Sequence, residues 1–322
     1  MIRKILKKCF LGIMVSTIFL GTVAGCGQKE SSEQMSYRKY GINCIEAGKY
    51  KEAVDALQKA LDESVGGIGD LELDICMYKA KAQYLMGDTS GAEQTYTAVI
   101  EYNNSADAHY LRGCMYFATG EDQKACDDFA AAVEEDKSNI ELHVGIVETL
   151  KKYKLEDKAA EYIKKATSIK CKSANDYMQI GRIYILSGDY DKAVKNLTTA
   201  IDEGEIKANF YMGQAYAAKG DDTVAQTYYQ EYITNGNADS YELFEIAKEQ
   251  MGRGDYATAV TYFNAALNLE EVPNKQNIMR DLTISYEKMG DFESAKNVMA
   301  EYVDLYPEDY EAKDEYTFLQ TR

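Results

Sequence analysis

The 322-residue sequence is poor in the residues that interrupt helices and in those that carry most acid–base and metal chemistry. It has two prolines, Pro273 and Pro307, so nearly all of the chain is free of the residue that removes a helical N–H and clashes with the preceding turn. Two histidines, His109 and His143, supply little for a metal centre or a proton relay, and tryptophan is absent. Lys and Arg number 36 against 53 Asp and Glu, a formal net charge of −17. That balance excludes nucleic acid as a partner, because binding it depends on neutralising phosphates with a basic surface. No His-Glu-x-x-His, Gly-x-Ser-x-Gly, Walker loop or Cys-x-x-Cys pair occurs. Hydrophobic residues make up 46% of the chain, enough for a core, so the expectation is a folded all-α protein.

The N-terminus carries Arg3, Lys4, Lys7 and Lys8, then an apolar run from Cys9 to Gly25, then Cys26. A basic start, an apolar stretch and small residues before a cleavage point describe a secretory signal. The run is at the lower limit for a spanning helix and is diluted by Gly12, Ser16, Thr17, Gly21 and Thr22. Val23-Ala24-Gly25-Cys26 resembles a bacterial lipoprotein lipobox. The resemblance implies loss of residues 1–25 and a lipid-anchored Cys26, which would hold the chain at the extracytoplasmic face of a membrane. Two acyl chains on one residue suffice for stable anchoring. Residues 26–34 then read as the lipidated cysteine and a polar, flexible tether, with the acidic chain expected to stand away from anionic lipid.

Internal repetition organises the rest. Glycines recur at 48, 87, 120, 188, 220, 254 and 290, close to a period of 34 with one doubled gap. Around each lies a fixed frame: a small residue seven positions before, Ala five after, an apolar residue four further and a small or apolar one three beyond. Gly181/Gly188/Ala193/Leu197/Ala200 and Ala247/Gly254/Ala259/Phe263/Ala266 are two instances. The doubled gap holds a degenerate copy with Gly145, Ala159, Ile163 and Ala166, and with Lys152-Tyr153-Lys154 where the turn glycine belongs. Each copy has two apolar-periodic segments, predicting a pair of helices about 20 Å long. The turn glycine is suited to a left-handed helix end, and the following Asp of Gly188-Asp189, Gly220-Asp221, Gly254-Asp255 and Gly290-Asp291 to capping the second helix.

Segments such as AGKYKEAVDALQKAL from Ala47 and SGDYDKAVKNLTTAI from Ser187 resemble the tetratricopeptide repeat (TPR). The resemblance implies an all-α, right-handed superhelical solenoid of about eight helix-turn-helix repeats over residues 35–309, closed by a capping helix and tail over 310–322. Such an array needs a cap because every hairpin exposes an apolar face that its neighbour covers. Tyr310, Ala312, Tyr316 and Leu319 are the expected covering residues. Gly66-Gly67-Ile68-Gly69 lacks the preceding strand of a phosphate loop and reads as a longer link between the first two repeats.

No catalytic constellation emerges, and no cofactor or metal is expected. His109 and His143 read as packing or surface residues. Of the cysteines left after Cys9 and Cys26, Cys44 and Cys76 fall at packing positions and Cys114 toward the inner face, without disulfide or zinc spacing. In TPR arrays set positions of each first helix line a concave groove. Carried onto this register they are Arg38, Met77, Lys81, Tyr84, Tyr110, Phe117, Arg182, Phe210, Gln214, Tyr241, Phe244, Lys248 and Arg280. Aromatics with interspersed cations are how protein interfaces concentrate binding energy, although the same aromatics are also suited to packing between first helices. The first repeat has Arg38 followed by Ile42, a departure from the Lys and Asn of chaperone-binding TPR grooves. The expected partner is therefore a protein or peptide segment bearing acidic and apolar residues, held by a membrane-tethered adaptor. A self-associating homo-oligomeric scaffold and a cell-wall-acting enzyme are the alternatives. On the adaptor reading, Glu at both Arg182 and Lys248 would weaken binding and leave the melting temperature nearly unchanged.

Overall fold

The structure is a computed structural model that describes residues 32–65, 67–235 and 238–322. The expected leader and the expected anchor cysteine, Cys26, lie outside the described residues. Among these there is no strand, and seventeen α-helices succeed one another. Sixteen form eight consecutive pairs: α1 (Ser32–Glu46) with α2 (Tyr50–Asp62), α3 (Asp70–Met86) with α4 (Thr89–Asn103), α5 (Ala106–Thr119) with α6 (Asp122–Glu135), and α7 (Ile140–Lys152) with α8 (Glu156–Thr167). The series continues through α9 (Ala174–Ser187) with α10 (Tyr190–Asp202), α11 (Ala208–Lys219) with α12 (Asp222–Asn235), α13 (Ser240–Arg253) with α14 (Tyr256–Leu267), and α15 (Lys275–Met289) with α16 (Phe292–Leu305). A last helix, α17 (Tyr310–Leu319), follows Pro307. The chain divides into two compact units, one ending at Thr199 and one beginning at Ala200. No described helix is long and apolar enough to cross a membrane.

The turns form as the glycine–acid pattern requires. Gly188, Gly220, Gly254 and Gly290 all have φ near +80°, a conformation that a Cβ disfavours. The next residue caps the second helix: Asp255 Oδ1 accepts from the Thr258 N–H at 3.1 Å, and Asp291 Oδ1 from the Ser294 N–H at 3.1 Å. In the degenerate fourth repeat the turn is kept, and Lys154 takes the glycine's place with φ +60°.

Packing within a hairpin depends on the small residue at its centre. A Cβ on Gly213 would lie 2.3 Å from the Tyr229 ring, and one on Gly113 2.8 Å from Phe129. The aromatic therefore seats directly on the backbone of the opposite helix. The recurring alanines Ala53, Ala92, Ala125, Ala193 and Ala259 are fully buried for the same reason. In the first unit, one cluster around Leu57 and Ile75 joins repeats one and two. A larger one, from Ala80 to Ile183, runs through repeats two to five. In the second unit, α17 closes the array by laying Ala312 and Leu319 on Met279, Met299 and Tyr302. Tyr310, expected among the covering residues, is instead 69% exposed, because it begins the helix on the side away from that core.

Both histidines are buried. His109 Nδ1 lies 2.9 Å from Asp128, whose carboxylate also takes a forked bond from Arg112, and Nε2 lies 3.1 Å from Asn104. His143 is pushed below the usual imidazole range by burial, against a raising bond to the Asn139 carbonyl. They knit helices together, in line with the packing expectation. Among the described residues no group of His, Cys, Asp or Glu has metal-binding geometry.

Candidate functional site

The first helices place the thirteen groove positions in two different environments. Tyr84, Tyr110, Phe117 and Phe210 are core residues, each at most 5% exposed, and are not accessible anchors. Tyr110 stacks on Phe129 at 5.5 Å, and its hydroxyl lies 2.7 Å from where a Cβ on Gly145 would be. Phe117 sits between Phe129 and Tyr153, with centroids at 5.5 and 5.0 Å. Phe210 meets Tyr211, Tyr229 and Tyr232 at 5.1, 6.1 and 5.8 Å. Where a small residue of the adjacent helix faces the ring, as Gly145 faces Tyr110, the helices come close enough for the ring to fill the seam. Cys114, expected to face the groove, is 1% exposed beside Thr149 for the same reason. Met77 is half-buried against the larger cluster of the first unit.

The cations are half-buried and engaged. Arg38 pairs with Asp74 at 2.5 Å and lies over the Tyr78 ring. Arg182 pairs with Glu148 at 2.8 Å and also donates to Gln179. Lys248 pairs with Asp281 at 3.0 Å, and Arg280 with Asp309 at 3.1 Å. Lys81 is held below the usual ammonium range by burial, opposed by the Glu46 carboxylate. Each of these four ion pairs links one first helix to the next in the same series, Asp309 doing so from the N-cap of α17, so these charges stitch repeats together. The acids Asp74, Glu148, Asp281 and Asp309 were not among the residues expected from the register. Their signal is an opposite charge about one period away: Arg38 and Asp74 are 36 residues apart, Glu148 and Arg182 34.

What remains available is a shorter strip in the second unit. Tyr241, Phe244 and Lys248 are half-buried and recur at helical spacing along α13, on one face. Phe244 leans on Phe263 at 5.8 Å, and the Lys248 ammonium stands 6.0 Å from the Phe244 centroid. Gln214, also half-buried, holds the register position of Lys248 one repeat earlier. Arg280 packs over the Tyr302 ring at 5.9 Å. The arrangement offers aromatic edges, an amide and two cations whose carboxylate partners a ligand acid would have to replace.

These features define a class: an all-α protein built of repeated helical hairpins. Tetratricopeptide-repeat family models match residues 79–140 and 178–240, and a second such model matches 281–309. The chain thus carries tetratricopeptide repeats. No curated protein matches the sequence. Among solved structures, a tetratricopeptide repeat protein from Parabacteroides merdae is 16% identical, covers 79% of this chain and 99% of its own, and superposes with a TM-score of 0.49. PilW, a type IV pilus biogenesis factor, is 19% identical over 65% of this chain and 97% of its own, with a TM-score of 0.44. The C-terminal part of a TPR repeat-containing protein from Cytophaga hutchinsonii is 16% identical over 86% of this chain and 98% of its own, with a TM-score of 0.39.

Proposed function

We propose that this protein is a lipid-anchored adaptor of the bacterial cell envelope that holds a protein or peptide partner against the first helices of its repeats. Tetratricopeptide repeats bind protein partners and are as a rule non-catalytic scaffolds, which supports the binding role over turnover. The observation that carries the partner class is the half-exposed Tyr241, Phe244 and Lys248 strip on α13. Apolar side chains of the partner would cover the two rings, and an acidic one would exchange with Asp281 for Lys248. The extracytoplasmic location and the anchor rest on the lipobox resemblance of Val23-Ala24-Gly25-Cys26.

Photocrosslinking in cells from positions 241 and 244 tests the adaptor reading, with position 110 as a buried control. One partner captured from both strip positions and not from the control is expected. Capture of this same chain from both would replace the adaptor by a self-associating scaffold.

A further inference from the structure

The end of the first unit where the described chain begins carries an apolar edge that no groove function uses. Val65 is 68% exposed, Ile68 54%, Tyr102 55% and Met35 40%. Val65 and Ile68 belong to the link between α2 and α3, Tyr102 to the last turn of α4, and Met35 to the first turn of α1. They are held at one end by direct bonds. The Tyr102 hydroxyl donates to the Ile68 carbonyl at 2.9 Å. The Glu72 carboxylate accepts from Gln34 Nε2 at 2.8 Å, from Ser64 Oγ at 2.6 Å and from the Gly69 N–H at 2.9 Å, tying the start of α1, the link and the start of α3 together. Burial works against ionisation of Glu72, yet these three bonds hold its carboxyl down at about 2. These bonds tie Ser64, Ile68 and Gly69 of the link to α1, α3 and α4.

Its position relative to the anchor follows from chain length. Five residues, six chain steps, separate Cys26 from Ser32, the first residue of α1. Six steps of chain reach at most roughly 20 Å. We infer that the edge formed by Val65, Ile68 and Tyr102 rests in the headgroup region of the bilayer that holds Cys26. This rests on the lipid-anchor reading above. Three apolar side chains would bind a membrane weakly from solution, but a tether this short makes the contact intramolecular, at an effective concentration on the order of millimolar. Tyrosine with a satisfied hydroxyl and an exposed ring suits the interface between headgroups and acyl chains. The exposed acids Glu63, Asp70 and Glu101 flank the edge, so the contact is shallow and favours zwitterionic lipid. The expected stand-off from the membrane then applies to the acidic remainder of the chain and not to this edge.

The absence of tryptophan makes the test direct. Lipidated protein, residues 26–322, carrying Ile68→Trp, or separately Val65→Trp, is reconstituted on phosphatidylcholine vesicles with brominated acyl chains. Met86→Trp is the control, at the far end of the 17-residue α3 and also exposed. The inference expects emission from positions 65 and 68 to be quenched several-fold more than from position 86, with the difference shrinking as phosphatidylglycerol replaces phosphatidylcholine. Equal quenching at both ends, or none at 65 and 68 in protein that floats with the vesicles, overturns the docking and leaves the anchor standing. Protein that carries no lipid on Cys26 and does not float overturns both.

Discussion

Lys154 shows how strongly the repeat dictates its turn. Seven copies place glycine at the residue that must turn left-handed, and the fourth forces a lysine into φ +60°. An L-residue with a Cβ there is strained by about 1 kcal/mol, and the surrounding hairpin holds it because α7 and α8 are already packed. Lys154→Gly is expected to raise stability by up to about 1 kcal/mol, less the greater freedom glycine gains in the unfolded chain. Thermal unfolding followed by circular dichroism reads this as a melting temperature higher by a degree or more, and a lowered one would refute the strain. The turn was legible because glycine, acid and alanine recur at fixed offsets. The price of the exception was not, since only backbone geometry shows which of Lys152, Tyr153 and Lys154 turns left-handed.

At the scale of elements, the inner face divides its residues between seam and surface in a way the register alone does not decide. A position number says which side of a helix a residue occupies, but not how near the next helix comes. Where Gly145 lies opposite Tyr110 the ring fills the seam, whereas Phe244 on α13 keeps an exposed edge. The cations follow the same logic, with ion pairs from helix to helix. Glu at Arg182, whose side chain is 15% exposed, therefore brings two carboxylates together and lowers the melting temperature, contrary to the expectation of an unchanged one. Reversing the partner as well, Arg182→Glu with Glu148→Arg, is expected to restore most of the loss, with a coupling of about 1 kcal/mol in a double-mutant cycle. Strictly additive losses would show that the pair contributes nothing between repeats.

For the whole molecule, each repeat leaves an apolar face for its neighbour, so the last one depends on α17. Deleting residues 310–322 would uncover Met279, Met299 and Tyr302 and remove the buried Leu319. Loss of Leu319 burial alone costs about 1.5–3 kcal/mol. The truncated chain is expected to show an early unfolding step in urea and to associate at micromolar concentration, read by light scattering. Unchanged solubility and a single unshifted transition would mean that α17 is an appendage and not a cap. The cap was foreseeable from Pro307 and the amphipathic run after it. Which of its residues face the core was foreseen for Ala312 and Leu319 and missed for Tyr310, since a residue at the first position of a helix has no preceding turn to orient it.

The sequence by itself determined the all-α hairpin repeats, their number, their turns and their caps, because these depend on local conformational preference and on periodicity, both properties of a single segment. The split of the inner face into buried rings, ion-paired cations and a short exposed strip on α13 was decided only in the tertiary structure. So was the apolar edge beside the first helix. Both depend on how closely segments a full repeat apart approach, and that distance is set by the combined volume of side chains from two helices, which neither contains alone.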